Sequence, residues 1–200
     1  MRKILIIIFL LFPFLTFSQN EDLLKSLENY QLAELENGMK IIVVKTDKFD
    51  YLSYRFILDF QPFFENEYCG VSQILVRLIG CELKNKNQIV KDMVSADNAV
   101  DSLIDFMSGV LLRPDFKDSS VYIIRTIKAN QTKAYENNYD SILSNYAKLF
   151  SFTNEHPYSE YVTENSFNRV NSSELKRIHK KIFIPQNSTL VVVGNIDIEE

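Results

Sequence analysis

The sequence predicts an α+β fold in which several helices pack against one sheet. Strand patterns come first, between residues 32 and 61, and helical patterns then occupy most of residues 71–182. A last apolar strand, residues 189–193, follows the final helix. Because strands and helices are grouped along the chain instead of alternating, this order favours an α+β fold over a parallel α/β fold.

Length and composition fit one globular domain. The chain has 200 residues, of which 46% are hydrophobic and 24% charged, and only five Gly and five Pro argue against long linkers. Acidic residues outnumber basic ones by 26 to 22, and no basic cluster offsets them. Because nucleic-acid phosphates require a basic surface, this balance disfavours a nucleic-acid partner.

Residues 1–18 are predicted to be a cleaved signal peptide. Two basic residues precede an apolar run over residues 4–17, and small residues at its end place the cut before Gln19. An uncleaved anchor is the alternative, but the run is short for a membrane span. We therefore expect a periplasmic or secreted protein with a single domain over residues 19–200 and no membrane span after cleavage.

A hairpin opens the domain. Residues 32–35 and 39–45 are its strands, and Asn37-Gly38 between them fits a tight primed turn, in which both turn residues have positive φ. Residues 41–44 are all apolar, so the second strand is expected to be covered on both faces.

The next strand, residues 51–61, alternates apolar and polar residues and ends at Pro62. This alternation predicts one buried face. The side chains expected to point inward are Leu52, Tyr54, Phe56, Leu58 and Phe60.

Four helices are predicted in the middle of the chain, over residues 71–79, 97–112, 119–135 and 140–150. Each has an apolar stripe that is expected to face the core. In the third and fourth helices the stripe comprises Ile123, Ile124, Ile127, Ile142, Leu143, Tyr146 and Leu149.

The last helix and strand have clear end signals. Asn171, followed three residues later by Glu174, is typical of a capping box, and Pro185 ends the helix. The β-branched strand that follows ends at Gly194. The expected buried face of the helix comprises Leu175, Ile178, His179 and Ile182.

The two cysteines, Cys69 and Cys81, are expected to be buried free thiols. They flank residues 70–80, and a helix of that length would separate them by about 18 Å. A disulfide requires Cα atoms within about 7 Å.

The two histidines lack a third metal donor at suitable spacing. We expect His179 to be half-buried and hydrogen-bonded, and His156 to cap a loop. No G-x-S-x-G elbow and no phosphate-binding glycine loop is present. A Ser–His–Asp triad stays open, because its members can be distant in sequence.

Four segments, in order, resemble the insulinase/pitrilysin family of zinc metallopeptidases, which includes non-catalytic subunits. Residues 35–42 are similar to the family's L-x-N-G hairpin, and residues 70–78 fall where the family has G-x-A-H-F-L-E-H-M. Residues 156–158 (HPY) match a substrate-side loop, and residues 183–197 (FIPQNSTLVVVGNID) are similar to Y-x-P-x-N followed by V-V-V-G-D. The resemblance implies an insulinase-like domain with a mostly antiparallel sheet and helices packed on one face.

The zinc motif itself is degenerate. Where the family has its two zinc-binding histidines, this chain has Gln73 and Arg77, and Val76 replaces the glutamate that activates water. The family's downstream zinc-binding glutamate falls near Asn130 or Gln131. We therefore assign no catalytic residue, no metal ligand and no cofactor, although the resemblance implies zinc, and expect an inactive peptidase homologue.

The domain also looks truncated beside the family pattern. The span between Gly80 and Asp97 is short, so the hairpin that follows the motif helix in the family is expected to be missing. The chain ends soon after the last strand, where the family continues into further elements.

These observations favour a non-catalytic subunit or scaffold that supports a catalytic partner of the same family. A peptide-binding module that uses a sheet edge is the alternative. An active metalloendopeptidase with unrecognised ligands, or a degenerate remnant, also stays open.

Overall fold

A computed structural model describes residues 30–48, 50–96 and 100–196; the predicted signal peptide lies outside these ranges. Six strands form one sheet in the order β1-β2-β6-β3-β5-β4. Neighbouring strands are antiparallel except for the parallel pair β2 and β6. The strands are β1 (Tyr30–Glu34), β2 (Lys40–Lys45), β3 (Tyr51–Asp59), β4 (Glu82–Asn85), β5 (Gln88–Ala96) and β6 (Ser188–Gly194).

The helices follow the predicted order, with one short addition. They are α1 (Val71–Leu78), α2 (Val100–Met107, continued by a π-helical turn, Ser108–Leu112), α3 (Asp118–Tyr135), α4 (Tyr139–Phe152), α5 (Glu164–Arg169) and α6 (Ser172–Ile182). The predicted α+β class and mostly antiparallel sheet are confirmed. None of the described helices is both long enough and apolar enough to cross a membrane.

The first hairpin is confirmed, but its turn differs from the predicted primed turn. Only Gly38 has positive φ, at 85°. The Gly38 N–H donates to the Leu35 carbonyl (2.8 Å), and Asn37 Oδ1 accepts from the Met39 N–H (3.0 Å). A polar side chain thus closes the turn without requiring a second left-handed residue.

The central strand β3 has the predicted buried face. All five inward side chains are buried. Phe56, Leu58 and Phe60 lie in one core with residues of α1 and α6, and the other two inward side chains lie in a second, smaller core. On the opposite face, Arg55 and Asp92 form an exposed ion pair. The prediction that β2 is covered on both faces is wrong, because Val43 alone among its apolar residues is fully buried.

The expectation of a missing hairpin after the motif helix is also wrong. Strands β4 and β5 form that hairpin, and β5 pairs with β3 along nine residues. Strand β4 lies at an edge of the sheet and is mostly polar and exposed, whereas β5 lies between β3 and β4. In β4 and β5, Leu83 packs against the core and Ile89 lies within it. Because β5 carries its apolar residues in adjacent pairs, Ile89-Val90 and Met93-Val94, the alternating pattern of a strand is weak in this part of the sequence.

The predicted inward stripes of α3 and α4 are wrong in part. In α3, Val121 and Ala129 are buried, whereas Ile123 and Ile127 are 56% and 48% exposed. In α4, the side chains of Leu143, Tyr146 and Phe150 are 69%, 58% and 84% exposed. Periodicity identified an apolar stripe on each helix, but no described element covers these side chains.

The end signals of α6 are confirmed. Asn171 Oδ1 accepts from the Glu174 N–H (3.0 Å), and all four predicted side chains are buried. The Glu174 carboxylate does not accept from the Asn171 N–H, as it would in a complete capping box. It pairs with Arg177 instead. Helix α6 therefore fixes the core beneath α1.

Candidate functional site

Helix α1, which holds the degenerate motif, begins at a glycine that has no substitute. Gly70 has φ 101°, and a Cβ there would lie 2.4 Å from the Phe167 ring. The Glu65 carboxylate accepts from the N–H groups of Gly70 (2.6 Å) and Ser72 (3.1 Å). A negative charge at this end also favours the helix dipole, so the start of α1 is fixed from outside the helix.

A second glutamate ties this start to two other segments. Glu160 accepts from the N–H groups of Glu65 (3.0 Å) and Asn66 (2.7 Å). Lys86, in the β4–β5 turn, lies 3.6 Å from the Glu160 carboxylate and donates to the Pro157 carbonyl (2.6 Å). The loop before α1, the β4–β5 turn and residues 157–160 are thereby held as one unit.

The two histidines have the hydrogen-bonding roles predicted for them, but His179 is buried and not half-buried. His156 Nδ1 accepts from the Tyr158 N–H (3.2 Å) and so caps a loop. His179 Nε2 lies 2.6 Å from the Leu111 carbonyl, and its ring stacks on Phe183 at 4.3 Å. Burial lowers the pKa of His179 below 6.5, although the bond to Leu111 opposes this, and the neutral ring donates its N–H to that carbonyl.

The degenerate motif positions come together at one cavity. Gln73, Val76 and Arg77 line an open cavity of about 360 Å³ beside α1. Val76 is buried, Gln73 is half-buried and Arg77 is exposed. The remaining lining side chains are Cys81, Leu83 and Lys128. We call this cavity the motif pocket.

Lys128 is the member of this pocket that sequence reasoning missed. The expected counterparts of the downstream glutamate, Asn130 and Gln131, are exposed and do not line the pocket. Lys128 reaches it from α3, which packs against α1. A helical spacing that starts from the buried Val121 places residue 128 on the α1 side two turns later. The sequence prediction took Ile123 as the first inward residue and therefore assigned the wrong face of α3 to the core.

The polar side chains of the motif pocket offer hydrogen-bond donors and include no carboxylate. The side chains of Gln73, Arg77 and Lys128 make no hydrogen bond or ion pair with another residue that the structure describes. Burial raises the pKa of the Cys81 thiol to about 11, which the nearby Lys91 ammonium opposes, so this thiol is protonated at neutral pH. The pocket therefore carries two positive charges and offers no negatively charged atom that could bind a metal ion.

This donor set does not fit the zinc ion that the insulinase resemblance implies. Zinc is held by neutral imidazoles, carboxylates or thiolates. Among residues 30–48, 50–96 and 100–196, no group of three or more His, Cys, Asp and Glu side chains could hold a metal ion. The motif pocket supplies an amide, a hydrocarbon, a protonated thiol and two cations in their place.

Cys69, the other thiol, faces a smaller cavity of about 130 Å³, which shares Gln73 and Leu83 with the motif pocket. Both cysteines are free thiols. Burial raises the pKa of Cys69 to about 12, and the Glu65 carboxylate adds to this rise. A thiol with this pKa is a poor nucleophile at neutral pH, so Cys69 acts as part of the packing.

The edge strand β4 borders the motif pocket. Leu83 of β4 lines both the motif pocket and the smaller cavity. Its strand pairs with β5 on one side and has no strand partner on the other among the described residues. An open edge of this kind can hydrogen-bond an extended peptide.

Solved structures with the same fold include bacterial peptidases. A peptidase M16 inactive domain from Pseudomonas fluorescens matches with a TM-score of 0.71 and 16% identity, covering 86% of this chain and 48% of that one. The first half of the periplasmic protease PqqL from Escherichia coli matches with a TM-score of 0.66 and 14% identity, covering 86% and 44%. A protease from Helicobacter pylori matches with a TM-score of 0.69 and 13% identity, covering 85% and 47%.

The likeness is one of fold. This chain spans about half the length of those solved chains. No protein-family model and no curated protein sequence matches it.

Proposed function

We propose that this chain, which has the fold of the M16 (insulinase/pitrilysin) peptidase domains, is a non-catalytic subunit or scaffold that supports a catalytic M16 partner. The observation that carries the proposal is the motif pocket, where Gln73 and Arg77 stand in place of the zinc-binding histidines and Lys128 adds a second positive charge. A buried core and an ordered α1 are kept around it. A retained fold without zinc ligands is consistent with a subunit that supports catalysis by a partner.

Two further observations support this role. A solved domain of the same fold is described as an inactive M16 domain. Large apolar side chains also project from α3 and α4 without a described element over them, which is typical of a surface that binds another protein. These side chains are Tyr122, Ile123, Ile127, Tyr139, Leu143, Tyr146 and Phe150.

Export belongs to the same proposal. The basic start and apolar run of residues 1–18 support it. A solved protein of this fold is named a periplasmic protease. A catalytic partner would then be expected in the periplasm or outside the cell.

Co-purification from the native cell envelope tests the subunit role. We expect a stable complex with an M16 peptidase that has an intact H-x-x-E-H motif, and peptide hydrolysis by that partner should rise when this chain is added. Leu143→Glu should weaken the complex at least tenfold, because it places a charge on the exposed apolar side of α4. Ser144→Glu adds the same charge at a neighbouring exposed position and is the matched control.

A monomeric chain that neither binds such a peptidase nor alters its activity would contradict the subunit role. In that case the second candidate, a peptide-binding module, becomes the better account. The unpaired edge of β4 beside the motif pocket favours it. Binding of an extended peptide that is neither cleaved nor affected by a chelator would support this candidate.

A further inference from the structure

We propose that the motif pocket binds a carboxylate of a peptide that lies along the edge of β4. This inference goes beyond the subunit role and deepens the peptide-binding role, on which it rests for the path of the peptide. The ligand is identified by its charge: a single carboxylate, contributed by the free end of a peptide or by an acidic side chain.

The first argument is the set of donors. Gln73 and Arg77 lie four residues apart on α1, which places both on one side of the helix. Lys128 approaches from α3, so the donors come from two helices and line one cavity. An amide N–H₂, a guanidinium and an ammonium together can satisfy both oxygens of a carboxylate, and charge-assisted bonds of this kind are strong.

The second argument is the absence of competition for these donors within the described chain. The acid of the neighbouring strand, Glu82, is already paired with Lys84. No Asp or Glu lines the motif pocket. Lys91 adds a further positive charge nearby, because its ammonium donates to the Gly80 carbonyl (2.6 Å), next to Cys81.

The third argument is the position of the pocket beside an open sheet edge. Cys81 and Leu83, which line the pocket, lie just before and within β4. A peptide paired with the outer edge of β4 would run past these residues. Its end, or one of its side chains, would reach Arg77 and Lys128.

Fluorescence anisotropy with three labelled hexapeptides tests the inference. All three are uncharged and β-branched apart from the group under test: one has a free carboxyl terminus, one is C-terminally amidated, and one is amidated with a single internal aspartate. We expect at least one carboxylate peptide to bind about tenfold or more tightly than the plain amide. A preference for the first assigns the site to a chain end, and a preference for the third assigns it to an acidic side chain.

Variants of the pocket separate carboxylate binding from a general charge effect. Arg77→Gln and Lys128→Gln should each reduce the preference for the carboxylate severalfold, and the double variant should abolish it. Lys176→Gln, at an exposed position of α6 outside the pocket, removes the same charge and should leave the preference intact. Thermal unfolding of each variant checks that the fold is retained.

Two results would overturn the inference. Equal binding of all three peptides, unchanged by Arg77→Gln and Lys128→Gln, would leave peptide binding in place but remove the carboxylate site. Failure of every peptide to bind at millimolar concentration would contradict both the carboxylate site and the peptide-binding role. Neither result affects the proposed complex with a catalytic partner, which is measured separately.

Discussion

Arg77, in the last turn of α1, and Lys128, in α3, line the same cavity from two different helices. Their side chains form no ion pair with another residue in the described part of the chain. A divalent cation about 6 Å from one such charge is opposed by roughly 1.4 kcal/mol at the dielectric of water and roughly 5.5 kcal/mol at an effective dielectric of 20. The pair thus disfavours zinc and favours an anion.

Replacing three of the pocket's donors should create a zinc site. In the variant Gln73→His/Arg77→His/Lys128→Glu, two imidazoles on one side of α1 face a carboxylate from α3, a donor set that zinc accepts. We expect binding of one zinc ion per chain, measured by titration calorimetry. The variant Gln73→His/Arg77→His, which keeps the Lys128 charge, is the control and should bind zinc at least tenfold more weakly. Equal affinity of the two variants would show that Lys128 does not face the motif positions.

Substitution of Gly70 should destabilise the start of α1. Gly70→Ala combines a left-handed backbone with a Cβ only 2.4 Å from the Phe167 ring. We expect the free energy of unfolding to fall by about 2 kcal/mol or more in a urea titration. Gly109→Ala is the matched control, because a Cβ there meets nothing within 4 Å. If both variants lose the same stability, the contact with Phe167 does not limit residue 70.

The stability of the fold should decrease in mild acid because of His179. Its folded pKa lies below 6.5, chiefly because the ring is buried. The unfolded chain therefore binds more protons than the folded chain as the pH falls through 6.5, and the free energy of unfolding decreases in that direction. We expect His179→Gln to flatten the pH dependence between pH 7 and 5 in urea titrations. An unchanged slope in His179→Gln would contradict this assignment.

The parts of the fold that the sequence predicted well are those whose pattern depends on burial on one side. The alternation in β3 identified its inward face because that face packs into the core, whereas the opposite face carries the exposed Arg55–Asp92 ion pair. The same logic held for α6, whose cap at Asn171 and apolar face lie next to each other in the chain. In both cases local pattern and tertiary packing require the same residues.

The parts that the sequence predicted poorly depend on where an element lies in the fold. In the β4–β5 hairpin, the edge strand β4 is mostly polar, and β5 carries its apolar residues in adjacent pairs instead of in alternation, so the strand pattern is weak. The stripe of α3 has two candidate faces, and only packing against α1 selects the one with Val121 and Lys128. The motif positions themselves were found by resemblance, but the presence of the second cation, Lys128, in the same pocket depends on this packing.

Zinc content is the measurement that tests the central claim most directly. The purified protein is incubated with excess zinc and then freed of unbound metal. It should contain less than about 0.1 zinc ion per chain by inductively coupled plasma mass spectrometry. It should also hydrolyse no peptide. One zinc ion per chain, lost in the variants Gln73→Ala and Arg77→Ala, would contradict the account of the motif pocket as a cationic site.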